Sequence, residues 1–92
     1  MAGPVFAADP PELRRAVALD GLSAVFHARS GITHILAPPA PQILDALARG
    51  PADAEEIKDR MRERFELEAD DVDSSIAARL EELEAAGLVW RA

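Results

Sequence analysis

The amino-acid sequence predicts an α+β domain in which a three-stranded antiparallel sheet is followed by three helices. Three observations support this fold class. Short apolar segments alternate with glycine-containing turns up to Leu36, a proline-rich segment then interrupts the chain, and apolar residues recur at helical spacing beyond it. The chain has 92 residues, of which 49% are apolar, so it has material for one domain with one small core.

The strands are predicted from three apolar segments that are separated by turn residues. These segments are Arg15–Leu19, Leu22–His27 and Ile32–Leu36. The first two are joined by Asp20-Gly21, which favours a type I′ hairpin turn because both residue types tolerate a positive φ. A two-residue turn at this point places Leu19 opposite Leu22.

The segment Arg29–Gly31 predicts a second turn, between the second and third strands. If this turn also has two residues, Phe26 lies opposite Ile35, and His27 lies opposite His34. The register matters because a slip of one residue would exchange the two faces of a strand.

Helices are predicted after Ala37–Pro41, because proline cannot donate to a strand ladder but fits the first turn of a helix. The first helix runs from Pro41 to Gly50. The second begins at Asp53, a good N-cap residue, with Glu56 three positions later as in a capping box. The apolar stripe of the second helix comprises Ile57, Met61 and Phe65.

The third helix follows an acidic link, Glu66–Asp71, and starts near Asp70 or Asp71. Its predicted buried face comprises Val72, Ile76, Leu80 and Leu83. Gly87 is suited to end this helix, since it adopts the left-handed conformation of a C′ residue without strain. The following segment, Leu88–Trp90, is expected either to pack back on the domain or to add a short strand.

The predicted elements suggest how the chain is organised. Residues 1–12 contain three prolines and little periodicity, so they predict an extended N-terminal arm, and residues 13–92 form the single domain. Strands come first and three helices follow, and the last two helices have lengths that suit a helix-turn-helix. This order indicates a winged-helix-like arrangement.

Charge and composition narrow the classes of partner. The net charge is −7, and almost all of the excess lies between Asp53 and Glu84, which disfavours a phosphate backbone as partner. This acidic half is either a solvated helical surface or a surface that selects a basic partner. The chain has no cysteine, no apparent signal peptide and no apolar run near the roughly 18 residues of a membrane span. We therefore expect a soluble, cytoplasmic protein.

The residues that carry catalytic chemistry are sparse. The only histidines are His27 and His34, and two imidazoles alone make an incomplete zinc site. The serines lie in no nucleophile elbow, and no Ser-His-Asp constellation is apparent. We therefore expect no enzyme activity, no metal and no cofactor.

The third predicted strand, Ile32–Leu36, is the most informative feature. It lies at the edge of the predicted sheet and has neither a proline nor a charged residue apart from His34, although edge strands are usually protected by such residues. One interpretation is that a partner peptide pairs with this edge, in a cleft beside the third helix. The alternative is that the strand is too short to pair with another chain, or that the C-terminal segment covers it.

Arg79 is the only basic residue between Asp70 and Glu84, on the predicted third helix. Its guanidinium could hold a carboxylate or a carbonyl group of a guest strand. Alternatively it pairs with an acidic neighbour. The candidate neighbours are Asp73, Glu82 and Glu84.

Three parts of the sequence together resemble the PqqD family. They are the segment Ser30–Leu36, which contains Gly-x-Thr-His-x-Leu, the helix start with Ile43, Leu44 and Leu47, and the closing segment Leu83–Val89. The resemblance spans roughly Leu13 to Val89, and it is closest to the PqqD-like peptide chaperones that are encoded near HPr-kinase-related enzymes.

The resemblance implies a RiPP recognition element with a three-strand, three-helix, winged-helix-like fold. Such a domain binds the leader of a ribosomally made precursor peptide as an added strand and presents it to a modifying enzyme. The peptide-binding residues that the resemblance implies are Ile32, Thr33, His34, Ile35 and Leu36 on the strand, with Ile76, Arg79 and Leu83 on the third helix.

Two other functions remain open at this point. The first is a winged-helix regulatory or protein-interaction domain, although DNA binding is disfavoured by the acidic third helix. The second is a structural homodimer in which two third strands pair or an arm is exchanged.

Overall fold

The computed structural model describes residues 3–64 and 72–92, and these form two three-stranded antiparallel sheets and three helices. The strands are β1 (Val5–Ala8), β2 (Arg14–Leu19), β3 (Leu22–His27), β4 (Ile32–Leu36), β5 (Ala52–Asp53) and β6 (Val89–Arg91). The helices are α1 (Ala40–Leu47), α2 (Ala54–Arg64) and α3 (Val72–Ala85), and a short 3₁₀ turn spans Pro11–Leu13. The α+β class is as predicted, but the second sheet was not expected. The winged-helix shape stays a prediction.

The first sheet is the predicted meander, in the order β2–β3–β4. Asp20 and Gly21 have φ values of 36° and 85°, the positive values that a type I′ turn requires. Leu19 pairs with Leu22 across this turn. The hairpin and its register are therefore confirmed.

The connection from β3 to β4 has four residues instead of two. His27 pairs with Ile32, and the N–H of Gly31 donates to the carbonyl of His27 at 2.8 Å. Gly31 has a φ of 72°, which glycine adopts without the clash that a Cβ would cause. The wider loop shifts the pairing by two residues from the two-residue turn.

The cross-strand pairs Phe26–Ile35 and His27–His34 are therefore wrong. Phe26 lies opposite Thr33 instead. Because the shift is an even number of residues, each side chain stays on its predicted face of the sheet.

The second sheet has the order β5–β1–β6, so the N-terminal strand lies in its middle. Phe6 pairs with both Ala52 and Arg91, and the N–H of Ala92 donates to the carbonyl of Val5 at 2.8 Å. The N-terminal segment thus contains a strand that is paired on both sides, and the extended arm over residues 1–12 stays a prediction. Where the domain boundary falls stays a prediction. The C-terminal segment forms a short strand, which was one of the two expected outcomes.

The helix ends follow their capping residues. The N–H of Glu56 donates to Asp53 Oδ1 at 2.9 Å, which confirms the predicted N-cap of α2. Gly87, with a φ of 78°, ends α3 in a Schellman motif, in which the N–H of Leu88 donates to the carbonyl of Leu83 at 3.0 Å. Three predictions fall outside the described residues. They concern Phe65, the acidic link Glu66–Asp71, and the start of the third helix at Asp70 or Asp71.

The core lies where the three helices meet the second sheet. Ile57 and Met61 of the predicted α2 stripe are buried, as are Ile76, Leu80 and Leu83 of α3. The other members of this cluster are Phe6, Ala40, Ile43, Leu44, Ala46, Leu47, Ala52, Leu88 and Val89. The meander contributes little to it, since only Leu36 of that sheet packs against the cluster from a partly buried position. The meander therefore projects from the core and leaves much of its surface in solvent.

Candidate functional site

The β4 strand is an edge of the meander, because the sheet ends with it. The C-terminal strand β6 pairs with β1 in the other sheet and does not extend the meander. Ile32, Thr33 and Ile35 are exposed, whereas His34 and Leu36 are half-buried. One margin of β4 thus bears main-chain groups that pair with no strand among the described residues.

The three predicted residues of α3 differ in their surroundings. Ile76 and Leu83 are buried in the core, and their part in peptide binding stays a prediction. Arg79 is half-buried, and its Nη2 donates to Glu82 Oε1 at 2.8 Å. The pairing with an acidic neighbour is therefore confirmed. The buried face that the sequence predicted for this helix is confirmed at Ile76, Leu80 and Leu83.

Three buried polar atoms have no hydrogen-bond partner within the described part of the chain. They are His34 Nε2 on β4, Gln42 Oε1 on α1 and Arg79 Nε on α3. A buried polar group without a partner costs about 1–3 kcal/mol, so such atoms mark positions where a bound group can satisfy them. Two of the three belong to residues that the sequence indicated, and nothing in the sequence pointed to Gln42.

The structure also assembles a cluster that sequence reasoning missed. His27 Nε2 lies 2.6 Å from Asp9 Oδ2, and His27 Nδ1 lies 3.0 Å from Ser30 Oγ. The fold thus brings together a serine, a histidine and an aspartate whose proximity was not apparent from the sequence. Asp9 precedes His27 by 18 residues, and no local spacing could connect them.

The contacts of this cluster indicate a structural role. The N–H of Ile32 donates to Ser30 Oγ at 3.3 Å, so the hydroxyl caps the turn that it belongs to. Asp9 and His27 are only 4% and 5% exposed. Asp9 follows β1 and His27 ends β3, so their contact joins the two sheets.

Arg14, at the start of β2, holds the meander against α1. Its Nη2 donates to the carbonyl of Leu44 at 3.1 Å, and its Nη1 donates to the carbonyl of Asp9 at 3.2 Å. The Arg14 and Asp9 contacts together fix the sheet that carries β4, although that sheet contributes little to the core.

The acidic helices are partly neutralised by basic side chains. Lys58 Nζ donates to Asp73 Oδ1 at 2.8 Å, which joins α2 to α3. This hydrogen bond raises the pKa of Lys58 above its usual value. Arg91 Nε lies 3.2 Å from Glu84 Oε2, which joins β6 to α3.

The described residues include no group of three or more His, Cys, Asp or Glu side chains that could hold a metal ion. Among those same residues, no helix is both long enough and apolar enough to cross a membrane.

Comparison with known proteins gives one family. The family described as coenzyme PQQ synthesis protein D (PqqD) matches residues 23–89, which is more than two thirds of the chain. Comparison with curated proteins and with solved structures gave no significant match. The match begins in β3 and ends at β6, so it includes β4, all three helices and the closing glycine turn.

PqqD proteins are non-catalytic chaperones, and the family implies binding of a precursor peptide. Because the match extends over most of the chain, the chain belongs to the PqqD family.

Proposed function

We propose that this protein binds the leader of a ribosomally synthesised precursor peptide by strand addition to β4 and presents it to a peptide-modifying enzyme. The proposal depends chiefly on one observation, the open margin of β4 in a chain of this family. Main-chain hydrogen bonds along an edge strand supply affinity for any extended peptide, and neighbouring side chains supply selectivity.

The side chains of β4 alternate between the two faces of the sheet, so each face can contact different residues of the leader. Thr33 and Ile35 point to the outer face, where both are exposed and can contact alternate residues of a guest strand. His34 and Leu36 point to the opposite face, together with Ile32. We infer that His34 Nε2 and Arg79 Nε, which are buried without partners among the described residues, bond to guest groups on that side.

We infer that Arg79 is the α3 residue that contacts the leader. Its guanidinium is half-buried, and only one of its nitrogen atoms is used by Glu82. Ile76 and Leu83 complete the proposed site as the apolar layer beneath it. A guest carbonyl or carboxylate would satisfy the remaining N–H of the guanidinium.

The proposed role involves no covalent chemistry on this chain. The protein orders a flexible leader, and the conformational entropy lost by the leader must be offset by apolar contacts and main-chain bonds. The Gly31–Leu36 segment supports the HPr-kinase-related type of PqqD-like chaperone. We propose the precursor peptide and its modifying enzyme as the partners, in the cytoplasm.

The test is a titration of a fluorescein-labelled synthetic leader, taken from a precursor peptide encoded beside this gene, against the purified protein. Ile35→Lys places a charge on β4, whereas Val17→Lys places the same charge on β2, in the same cross-strand row at the opposite edge. The two side chains are similarly exposed, at 58% and 61%, so the substitutions are matched.

We expect Ile35→Lys to weaken leader binding by about tenfold or more, because a cationic side chain replaces an apolar contact. We expect Val17→Lys to leave the affinity within about twofold of the wild type. Equal effects of the two substitutions, or none from Ile35→Lys, would place the leader elsewhere. Backbone amide shifts on β4 give an independent measure of where the leader lies.

A further inference from the structure

The outer face of the meander is an apolar surface. The register places eight side chains on it, in three rows across the strands. These outer-face residues are Arg15, Phe26 and Thr33 in the first row, Val17, Ala24 and Ile35 in the central row, and Leu19 and Leu22 in the last row. The opposite face carries Val25 and His27, which are buried.

Five of the outer-face residues are large, apolar and exposed. Their exposed fractions run from 41% for Phe26 to 61% for Val17. The other three are Leu19, Leu22 and Ile35. A small domain has little apolar material to spare for its surface, and a contiguous patch of this kind marks an interaction site.

The charges around this face are arranged with opposite signs at its two ends. Arg15 lies in the first row. Asp20 lies at the other end, directly after Leu19. The acidic excess of the chain is carried by the helical half, from residue 53 to 84, so the outer face is close to neutral.

We propose that the outer face binds a second copy of this chain, as a reversible dimer with twofold symmetry. The twofold axis lies in the plane of the interface, perpendicular to the strands, and passes through the central row. It places the first row of one copy against the last row of the other. Arg15 then approaches Asp20 of the second copy, and Phe26 approaches Leu22. A surface that is apolar in the middle and oppositely charged at its ends is self-complementary under this operation.

The size of the face determines how tight the dimer is. Three short strands offer roughly 300 Å² per copy, whereas a standard stable interface buries about 800 Å² per partner. We therefore expect a weak dimer with a dissociation constant of about 0.1 mM. Its formation leaves the main-chain groups at the margin of β4 open, whereas the side chains of Thr33 and Ile35 belong both to this face and to the proposed leader site.

Sedimentation velocity of the full chain from about 10 µM to about 1 mM tests this proposal. We expect the wild type to pass from monomer to dimer over this range. Val17→Lys should stay monomeric, because it buries an unpaired charge at the centre of the interface. Ala18→Lys is the matched control, since Ala18 is the next residue of the same strand, is also exposed, and points to the other face. It should dimerise like the wild type.

Arg15→Asp is a second variant, which brings a carboxylate toward Asp20 of the other copy. We expect it to weaken the dimer by about threefold or more at low salt and by less at high salt. A wild type that stays monomeric at about 1 mM, or a folded Val17→Lys variant that dimerises as tightly as the wild type, overturns the proposal. Far-UV circular dichroism confirms that each variant is folded.

Discussion

Replacing Asp9 by Ala should destabilise the protein far more than its position near the N-terminus suggests. Asp9 is almost fully buried, and its two carboxylate oxygens contact His27 Nε2 at 2.6 Å and Arg29 Nε at 3.0 Å. The substitution removes both contacts. It leaves the imidazole of His27 buried, with only Ser30 Oγ as a side-chain partner.

The magnitude follows from the burial of each partner. Leaving a buried donor or acceptor without its partner costs about 1–3 kcal/mol, and more where the lost partner is a carboxylate, so the expected loss is about 3 kcal/mol. The Arg29 contact adds little, because that side chain is 67% exposed. For a domain of this size, about 3 kcal/mol corresponds to a fall in Tm of roughly 12–24 °C.

Thermal unfolding followed by far-UV circular dichroism at neutral pH measures this effect. Arg29→Ala is the control, since it removes the exposed contact to the same carboxylate and should lower Tm by less than about 5 °C. If Asp9→Ala melted within a few degrees of Arg29→Ala, the buried pair would not hold the two sheets together as we argue. The midpoint of urea unfolding provides a second, independent measure.

Three further substitutions test other parts of the fold. Leu83→Ala leaves a cavity in the core and should cost about 2–5 kcal/mol in urea unfolding; a loss below about 1 kcal/mol would mean that the helix face is not packed as described. Arg60→Ala removes hydrogen bonds to the carbonyls of Ala46 in α1 and Gly50 after it and should cost about 2 kcal/mol, whereas the exposed Arg62→Ala should cost under about 0.5 kcal/mol. Gly31→Ala places a Cβ at a positive φ and should lower stability by about 1 kcal/mol, while Gly3→Ala should not; equal Tm values for these two variants would contradict the loop conformation.

Local chemistry made part of the fold predictable from the sequence. The Asp20-Gly21 turn, the Asp53 cap and the Gly87 helix end each depend on the conformation of one or two residues, and all three are confirmed. The helices were predictable because their apolar residues repeat at helical spacing. Such features are set within a few residues, so no knowledge of distant contacts was needed.

Long-range contacts explain what the sequence did not predict. The strands β1 and β5 have four and two residues, too few for alternation to be visible. They form because β1 pairs with β5 on one side and with β6 on the other. The Asp9–His27 contact and the position of Gln42 depend on how separate elements meet. For the candidate site, the sequence indicated the edge strand and the buried face of α3, whereas the buried polar atoms of His34, Gln42 and Arg79 that have no partner among the described residues became apparent only in the folded chain.

The position of β1 between β5 and β6 has a consequence for how the chain matures. Strand β1 pairs with β6, the strand that is synthesised last of the six described, because Ala7 lies opposite Trp90. The meander has mostly neighbouring partners and can form early, whereas the second sheet closes only after β6 has been synthesised. Until then Phe6 lacks the partners that bury it, so a stalled or truncated chain would expose part of the core to proteases.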